Sequence, residues 1–384
     1  MTNPVPLFKN RGEWAEIVAV FFCLGQGRIP TVRSGERCLE PTGGSIIIAE
    51  MHLERNGQML NFVFNRKGTK KVSLDLLIDN EFVENYPHEE VLKDSDFFIN
   101  EVKNAALNNS KGTFSVPSVS TLIDKYYLGS GKSKSSLKQD IELVLIDADG
   151  MAVPVQGFSI KSFVGGDPTL FNPSRAARFK FRLDGLKSKQ AEAIAKQILE
   201  NKPKSWVQKL YKELYSINAF TQTVEVPDPN FKRNLELLDA NMPSVMGLTL
   251  LQAYCFGDMS LEGSLNKVIL SDPLGYGRDA KTFYTYRIKH FLRAAALGFS
   301  SSKPWNGKEG ADGGMIFVDK NWNFSCMMSS RKDFENYLLK TTRFESPSSS
   351  ERKHGGYGKV TTEWHGTFVD LLLQIRESDP FQEK

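Results

Sequence analysis

Residues 140–163 read DIELVLIDADGMAVPVQGFSIKSF. The run DIELVLID (140–147) is strongly apolar, Asp149-Gly150 is a turn signal, and VPVQGFSIKSF (153–163) is a second run. The pattern predicts two neighbouring strands joined as a hairpin. A side-chain period of two puts Asp140, Glu142 and Val144 on one face of the first strand. Gly157, Ser159 and Lys161 share a face of the second, opposite Phe158 and Ile160. A carboxylate and an amine then sit at one rim of an otherwise apolar sheet. Burying Lys161 unpaired is costly, so it calls for a partner, a ligand or an exposed tip.

A divalent ion coordinated by oxygen suits the carboxylate. Mg2+ takes one or two carboxylates, waters and phosphate oxygens. A lysine beside it can orient or help deprotonate an attacking water, while the ion neutralises charge growing on a phosphate. This is the outline of a PD-(D/E)xK nuclease. The position two before Lys161 is Ser159, a neutral residue, where that pattern has an acid. The backbone carbonyl of Ile160 can still coordinate, because that role needs no particular side chain. The missing charge can come from Glu142, or from Glu13 or Glu16. Gln156 falls on the wrong face of a regular strand unless a bulge turns it. The competing reading is a DNA-binding protein without catalysis, in which Asp140 and Lys161 form a structural ion pair. A third is a metal-independent enzyme acting on a small anion.

Outward from this segment, NRGEWAEIVAVFFCLG (10–25) has apolar residues at helical spacing, with Glu13 and Glu16 a turn apart. Residues 44–66 alternate and break at Asn56-Gly57, a second hairpin. The stretch after Lys71 reads as strand then helix. Residues 107–121 are a polar break. Residues 188–200, 205–217, 246–256, 287–297 and 331–340 read as helices. Residues 314–329 read as a hairpin turning at Lys320-Asn321, 343–358 as a loop rich in Ser, Gly and Pro, and 367–376 as a last strand. The expected organisation is an N-terminal α+β unit over 1–110 and a core over 111–384 with a helical insertion near 188–265. The fold class is α/β, a mixed central sheet flanked by helices.

With 40% hydrophobic and 24% charged residues, the chain is neither disordered nor fibrous. No apolar run approaches the roughly 20 residues that span a bilayer, and the start lacks the layout of a secretory signal. The expectation is a soluble cytoplasmic protein. Cys23, Cys38, Cys255 and Cys326 have no C-x-x-C spacing, which disfavours zinc and disulfides. Charge is segregated: residues 75–101 hold nine acids and one base, whereas 171–210 hold ten bases and three acids. A basic stretch of this kind is the footprint of a polyanion site.

Other chemistries fit poorly. GSGKSKSS (129–136) lacks the Gly a phosphate loop needs at 126, where Tyr126 stands, and it precedes a strand. The segment Gly157–Lys161 ends in lysine where G-x-S-x-G has glycine. His88-Glu89 has no second histidine at zincin spacing.

The segment GFSIKSFVGGDPTLFNPS (157–174) resembles the catalytic segment of the HpaII family of type II restriction endonucleases. DFENYLLKTTRFESPSSS (333–350), followed by Arg352, His354, Gly355 and Gly358 and then LQIR (373–376), is similar to its other signature block. GGMIFVDKNWNF (313–324) and KNRGEWAEIVAVFF (9–22) fit the strand pair and first helix of such enzymes. The resemblance implies an Mg2+-dependent endonuclease that cuts double-stranded DNA at a short GC-rich palindrome, with CCGG the family type. It implies Asp140 as metal ligand, Lys161 as catalytic lysine and Ser159 in the middle position. It also implies a bacterial restriction–modification system with a cognate DNA methyltransferase. The basic PSRAARFKF (173–181), Leu372 in the last strand and the spacing around Arg352 depart from the family pattern, in regions expected to touch DNA.

Arginine bidentate to guanine is the commonest specific base contact. Candidate DNA-binding residues are Asn172, Arg175, Arg178, Arg343, Ser348, Arg352, His354 and Gln374, with Arg376 a further arginine. A palindromic target favours a homodimer.

Overall fold

The computed structural model describes residues 7–35, 39–109, 112–129, 139–186, 188–200, 205–329, 331–348 and 356–381. Along the chain come α1 (Arg11–Gln26), β1 (Arg28–Ser34), β2 (Leu39–Arg55), β3 (Gln58–Lys67), β4 (Lys70–Ile78), β5 (Glu81–Pro87), α2 (His88–Asn108) and α3 (Ser120–Lys125). Next are β6 (Ile141–Ile146), β7 (Gln156–Ser162), β8 (Thr169–Phe171), β9 (Arg178–Leu183), α4 (Ser188–Glu200), α5 (Trp206–Ser216) and β10 (Phe220–Glu225). Then follow α6 (Pro229–Leu238), α7 (Met242–Phe256), α8 (Leu261–Ser271), α9 (Ala280–Leu297), β11 (Gly314–Val318), β12 (Phe324–Met328) and α10 (Arg331–Thr341). The chain ends in β13 (Thr342–Phe344), β14 (Val360–Glu363), β15 (Gly366–Leu372) and β16 (Ile375–Glu377). No helix among them is long and apolar enough to cross a membrane.

Two compact units result. The first comprises Met1–Pro168, Glu309–Phe334 and Asp379–Lys384, and the second Thr169–Lys308 and Glu335–Ser378. The first is built on a nine-stranded sheet in the order β1-β12-β11-β7-β6-β2-β3-β4-β5. The β1–β12 and β7–β11 pairs are parallel and the rest antiparallel, so the sheet is mixed, as the sequence led us to expect. A capping box starts α1: Glu13 N–H donates to Asn10 Oδ1 at 3.0 Å and Asn10 N–H to Glu13 Oε2 at 2.9 Å. Gly27, in the left-handed region at φ 59°, ends it. Helix α1 lies so close to α2 that a Cβ on Gly25 would sit 2.5 Å from Ser95 Oγ, and the Phe21 and Phe98 rings stack at 3.7 Å. The apolar face of β6 and β7, with Ile141, Leu143, Phe158 and Ile160, belongs to this same core.

The second unit pairs a four-stranded antiparallel sheet (β10-β9-β15-β14) with a three-stranded one (β13-β16-β8). Its central helix is α7, apolar and buried on nearly every side, against which α5, α6, α8 and α9 pack.

The local signals hold where they are strong. Asn56 (φ 54°) and Gly57 (φ 81°) make the predicted two-residue turn between β2 and β3. β6 and β7 pair antiparallel, though β7 begins only at Gln156. The region after Lys71 holds two strands before its helix, not one. β5 is the sheet's terminal strand and is exposed on both faces, so it shows no alternation to read. The stretch 188–265 is interrupted by β10, which pairs with β9. The last predicted strand breaks at Leu373-Gln374 into β15 and β16, which join different sheets. Cys23, Cys255 and Cys326 are free and buried, and Cys38 lies outside the described residues.

Gly157 sits where β7 meets the chain before β11. A Cβ there would lie 2.0 Å from the Gly310 carbonyl oxygen. Gly157→Ala is expected to destabilise the protein by about 1–3 kcal/mol through overpacking, read as a lowered Tm in thermal unfolding. An unchanged Tm would show that the Gly310 backbone yields freely.

Candidate active site

The β6–β7 ladder places Ile141 opposite Phe158 and Glu142 opposite Gly157. One step further, Asp140 donates its backbone N–H to the Phe158 carbonyl at 2.9 Å. Its side chain is held from β7. Asp140 Oδ2 accepts from Ile160 N–H at 2.6 Å and from Ser159 Oγ at 3.2 Å. Ser159 therefore orients the carboxylate. The N–H and carbonyl of one strand residue point to the same edge, so the Ile160 carbonyl also faces the Asp140 side.

Lys161, half-buried on the same face as Ser159, forms no ion pair and no hydrogen bond through its side chain among the described residues. Its charge acts on Asp140 and Glu16 through space. The direct Asp140–Lys161 ion pair of the competing sequence reading is therefore absent. Burial pushes the Asp140 carboxyl above the usual carboxylate range, against the opposing pull of Lys161 and the two hydrogen bonds.

The structure separates the three further acids. Glu13 is engaged in the helix cap. Glu142 accepts from Gln139 Nε2, and its Oε2 lies 3.9 Å from His52 Nδ1. Glu16 makes no hydrogen bond among the described residues. It keeps access to solvent, yet the protein crowding its carboxyl and then the Asp140 charge push it up to about 7. A buried carboxylate whose charge raises the proton affinity of a second, beside a lysine with no ion pair, suits a divalent cation. Asp140, Glu16 and the Ile160 carbonyl are the oxygens here that could hold one.

Arg55 was not foreseen. It closes β2 just before the Asn56-Gly57 turn and is half-buried. Burial lowers its guanidinium pKa, and the charges of Glu16 and Asp140 oppose that shift. Only the long-range pairing of β2 with β6 brings the end of this strand towards the start of β6, and no local pattern encodes that pairing.

The sequence-predicted DNA residues all fall in the second unit. That unit carries 27 Lys and Arg against 18 Asp and Glu; the first carries 22 against 27. Asn172, Arg175 and Ser348 are exposed and Arg343 half-buried. Arg178 is paired with Asp370 and donates to the Gly356 carbonyl at 2.8 Å. Gln374 is buried and donates to Glu345 Oε2 at 3.1 Å, the same oxygen that receives Arg376 Nε. Arg178 and Gln374 would have to exchange these partners to reach a base. Arg352, His354 and residues 130–136 of the basic loop lie outside the described residues. Elsewhere in this unit Glu225, Glu363 and His365 converge, but Lys180 already pairs with Glu363, and His365 Nε2 lies 3.2 Å from Glu225 Oε1.

A mixed sheet flanked by helices, with this residue set on its central strands, is consistent with the restriction-endonuclease-like class of DNA-cleaving enzymes. The chain belongs to the HpaII restriction endonuclease family, whose model matches residues 10–377. It is 30% identical over 370 residues to the Type II restriction enzyme HpaII of Haemophilus parainfluenzae, spanning 96% of this chain and 98% of that relative. No solved structure matches it significantly. The protein is a type II restriction endonuclease, a site-specific deoxyribonuclease, and DNA is its partner. Enzymes of this type generally use divalent metal ions.

Proposed function

We propose that the enzyme hydrolyses double-stranded DNA with Mg2+ at a short GC-rich palindrome of the CCGG type. It acts as a homodimer and is paired with a cognate methyltransferase. The observation that carries the site is the Asp140 carboxylate, fixed by Ser159 and Ile160 beside a lysine that forms no ion pair among the described residues.

Asp140, Glu16 and the Ile160 carbonyl would hold the ion. Bound there, it would neutralise charge growing on the phosphate and acidify a nearby water. Lys161 positions that water and favours its hydroxide form by charge. The water gives one proton to solvent and its oxygen bonds to phosphorus, the bond to the leaving oxygen breaks, and the leaving oxygen takes up a proton from solvent. Ser159 keeps Asp140 in one orientation by donating its hydroxyl proton, which an ionised acid at 159 could not do. Base reading falls to the second unit, where Asn172, Arg175, Arg343 and Ser348 are joined by Arg352 and His354. Arginine's fork suits guanine, which favours a GC-rich site.

Purified protein is expected to cut unmethylated plasmid into discrete fragments with Mg2+ and none with EDTA, and end-mapping gives the site. Asp140→Ala should lose the metal-dependent activity. Fragments in EDTA, or wild-type turnover by Asp140→Ala, would overturn this assignment.

A further inference from the structure

We propose that the loop Ser300–Lys308 is a DNA-backbone clamp of the second unit, setting Lys303, Lys308 and the neighbouring Arg233 against phosphates of the duplex. The inference goes beyond the hydrolytic site and rests on one part of the reading above, the assignment of Asn172 and Arg175 to the DNA-facing side.

The loop reads SSSKPWNGK (300–308) and follows α9. It is fixed from beneath by one side chain. Asn234, on α6, is fully buried. Its Nδ2 donates to the Ser300 and Lys303 carbonyls, both at 2.8 Å, and its Oδ1 accepts from Trp305 N–H at 2.9 Å. Its amide thus spends both donors and an acceptor on this one stretch of backbone. The Trp305 indole holds the second half of the loop: Nε1 donates to the Lys308 carbonyl at 2.9 Å, and the ring packs edge-on against Phe299 at 5.3 Å. Lys308 N–H donates to Asn306 Oδ1 at 3.0 Å. The backbone is held, yet Ser302, Lys303, Asn306 and Lys308 are exposed.

Ser301 sets where the loop lies. It is buried, and its Oγ is 2.8 Å from Ser174 Oγ, across 127 residues of chain. Ser174 stands between Asn172 and Arg175, both exposed. The loop therefore flanks the segment assigned to base reading.

Charge decides the kind of partner. No acid falls between Ser300 and Lys308. Lys303 and Lys308 form no ion pair among the described residues. Nor does Arg233, which is exposed and whose Nη1 donates to the Trp305 carbonyl at 3.1 Å. Other cations of this unit have acids: Lys232 lies 3.7 Å from Glu236, Lys267 3.9 Å from Asp258, and Arg287 2.8 Å from Asp239. Three cations without acids around one anchored loop suit an anion from outside, and DNA is the polyanion this enzyme meets. Lysine, arginine, serine and asparagine are the side chains that bond to phosphate and fix register without reading sequence. A loop already held by Asn234 and Trp305 loses little further freedom on binding.

The test uses full-length Lys303→Gln, Lys308→Gln and the double variant. Neither lysine side chain makes a hydrogen bond among the described residues, so the fold is not at stake. Binding is measured in EDTA over a range of salt, on a duplex carrying the site found by end-mapping and on one with that site scrambled. Each substitution should weaken both duplexes by about 5-fold at about 100 mM salt and reduce the slope of log K against log[salt] by about 1, the pair by about 2. Lys93→Gln, at an exposed lysine of the acidic stretch in the first unit, should bind both as the wild type does. A wild-type slope in the double variant would overturn the proposal. So would an equal loss in Lys93→Gln, which marks an effect of net charge alone. A loss of affinity with the slope unchanged and a lower sedimenting mass would overturn it too, making the loop a subunit contact. Arg175→Ala separates the two levels, since it should weaken the site duplex more than the scrambled one. Wild-type binding by Arg175→Ala beside a reduced slope in the double variant sinks the base-reading assignment and leaves the clamp; the converse sinks the clamp alone.

Discussion

Lys161→Ala is expected to lose at least about 1,000-fold in single-turnover cleavage while binding its DNA site nearly as tightly as the wild type. Removing one preorganised charge or donor from the reacting centre costs about 100- to 1,000-fold, and Lys161 supplies both the charge and the positioning of the attacking water. The cost to the fold is small for a specific reason. Lys161 makes no ion pair among the described residues, and Asp140 keeps its hydrogen bonds from Ile160 N–H and Ser159 Oγ when the lysine is cut back. Its through-space attraction to Asp140 and Glu16 is lost, so Tm is expected to fall only slightly. On the proposed reading binding falls chiefly to the second unit, which carries 27 Lys and Arg against 18 Asp and Glu, so one lysine of the first unit should matter little to affinity. Cleavage assays with Mg2+ and gel shifts in EDTA separate the effects. A parallel loss of binding and cleavage would make Lys161 a DNA anchor; unchanged cleavage would remove it from the site.

How far the sequence reveals this depends on the range of each interaction. The β6–β7 pair, α1 and the Asn56-Gly57 turn are written in adjacent residues, and all three are where the sequence puts them. Asp140, Ser159 and Lys161 follow from strand alternation, which is local. The choice among the acids does not follow from alternation. Glu13 and Glu16 look equivalent on the helix until the Asn10 cap takes the first. Glu142 shares a strand face with Asp140 until His52 arrives from β2 to engage it. Arg55 was invisible for the same reason, since its place depends on a register between strands some 90 residues apart. β5 and β10 were missed or merged because one is exposed on both faces and the other is short and half-exposed, so neither shows the buried alternation that marks a strand.

Glu16→Gln should make the metal-free protein more stable above pH 7 and at the same time cost about 100-fold or more in cleavage. The Glu16 carboxyl stands at about 7 in the folded chain against 4.5 without the fold. The folded state holds that proton more tightly, so ionising it works against folding. The penalty is absent below about 4.5, grows as pH rises towards 7 and is constant above. The full shift corresponds to about 3 kcal/mol, and the solvent access of Glu16 reduces the effect to about 1 kcal/mol. Glutamine cannot ionise and has nearly the same shape, so it removes the penalty and keeps the packing of α1. It also removes one of the two charges that would hold the ion. Urea unfolding in EDTA at pH 5 and pH 8 is the measurement. The two proteins should nearly coincide at pH 5 and diverge at pH 8 with the variant the more stable. Added Mg2+ should then stabilise the wild type and leave the variant almost unmoved, because a ligand stabilises only the state that binds it. A variant that is no more stable at pH 8 and still cleaves normally would return Glu16 to the ordinary surface of α1. The opposite signs of its effects on stability and on turnover are what distinguish a carboxylate kept for catalysis from one kept for the fold.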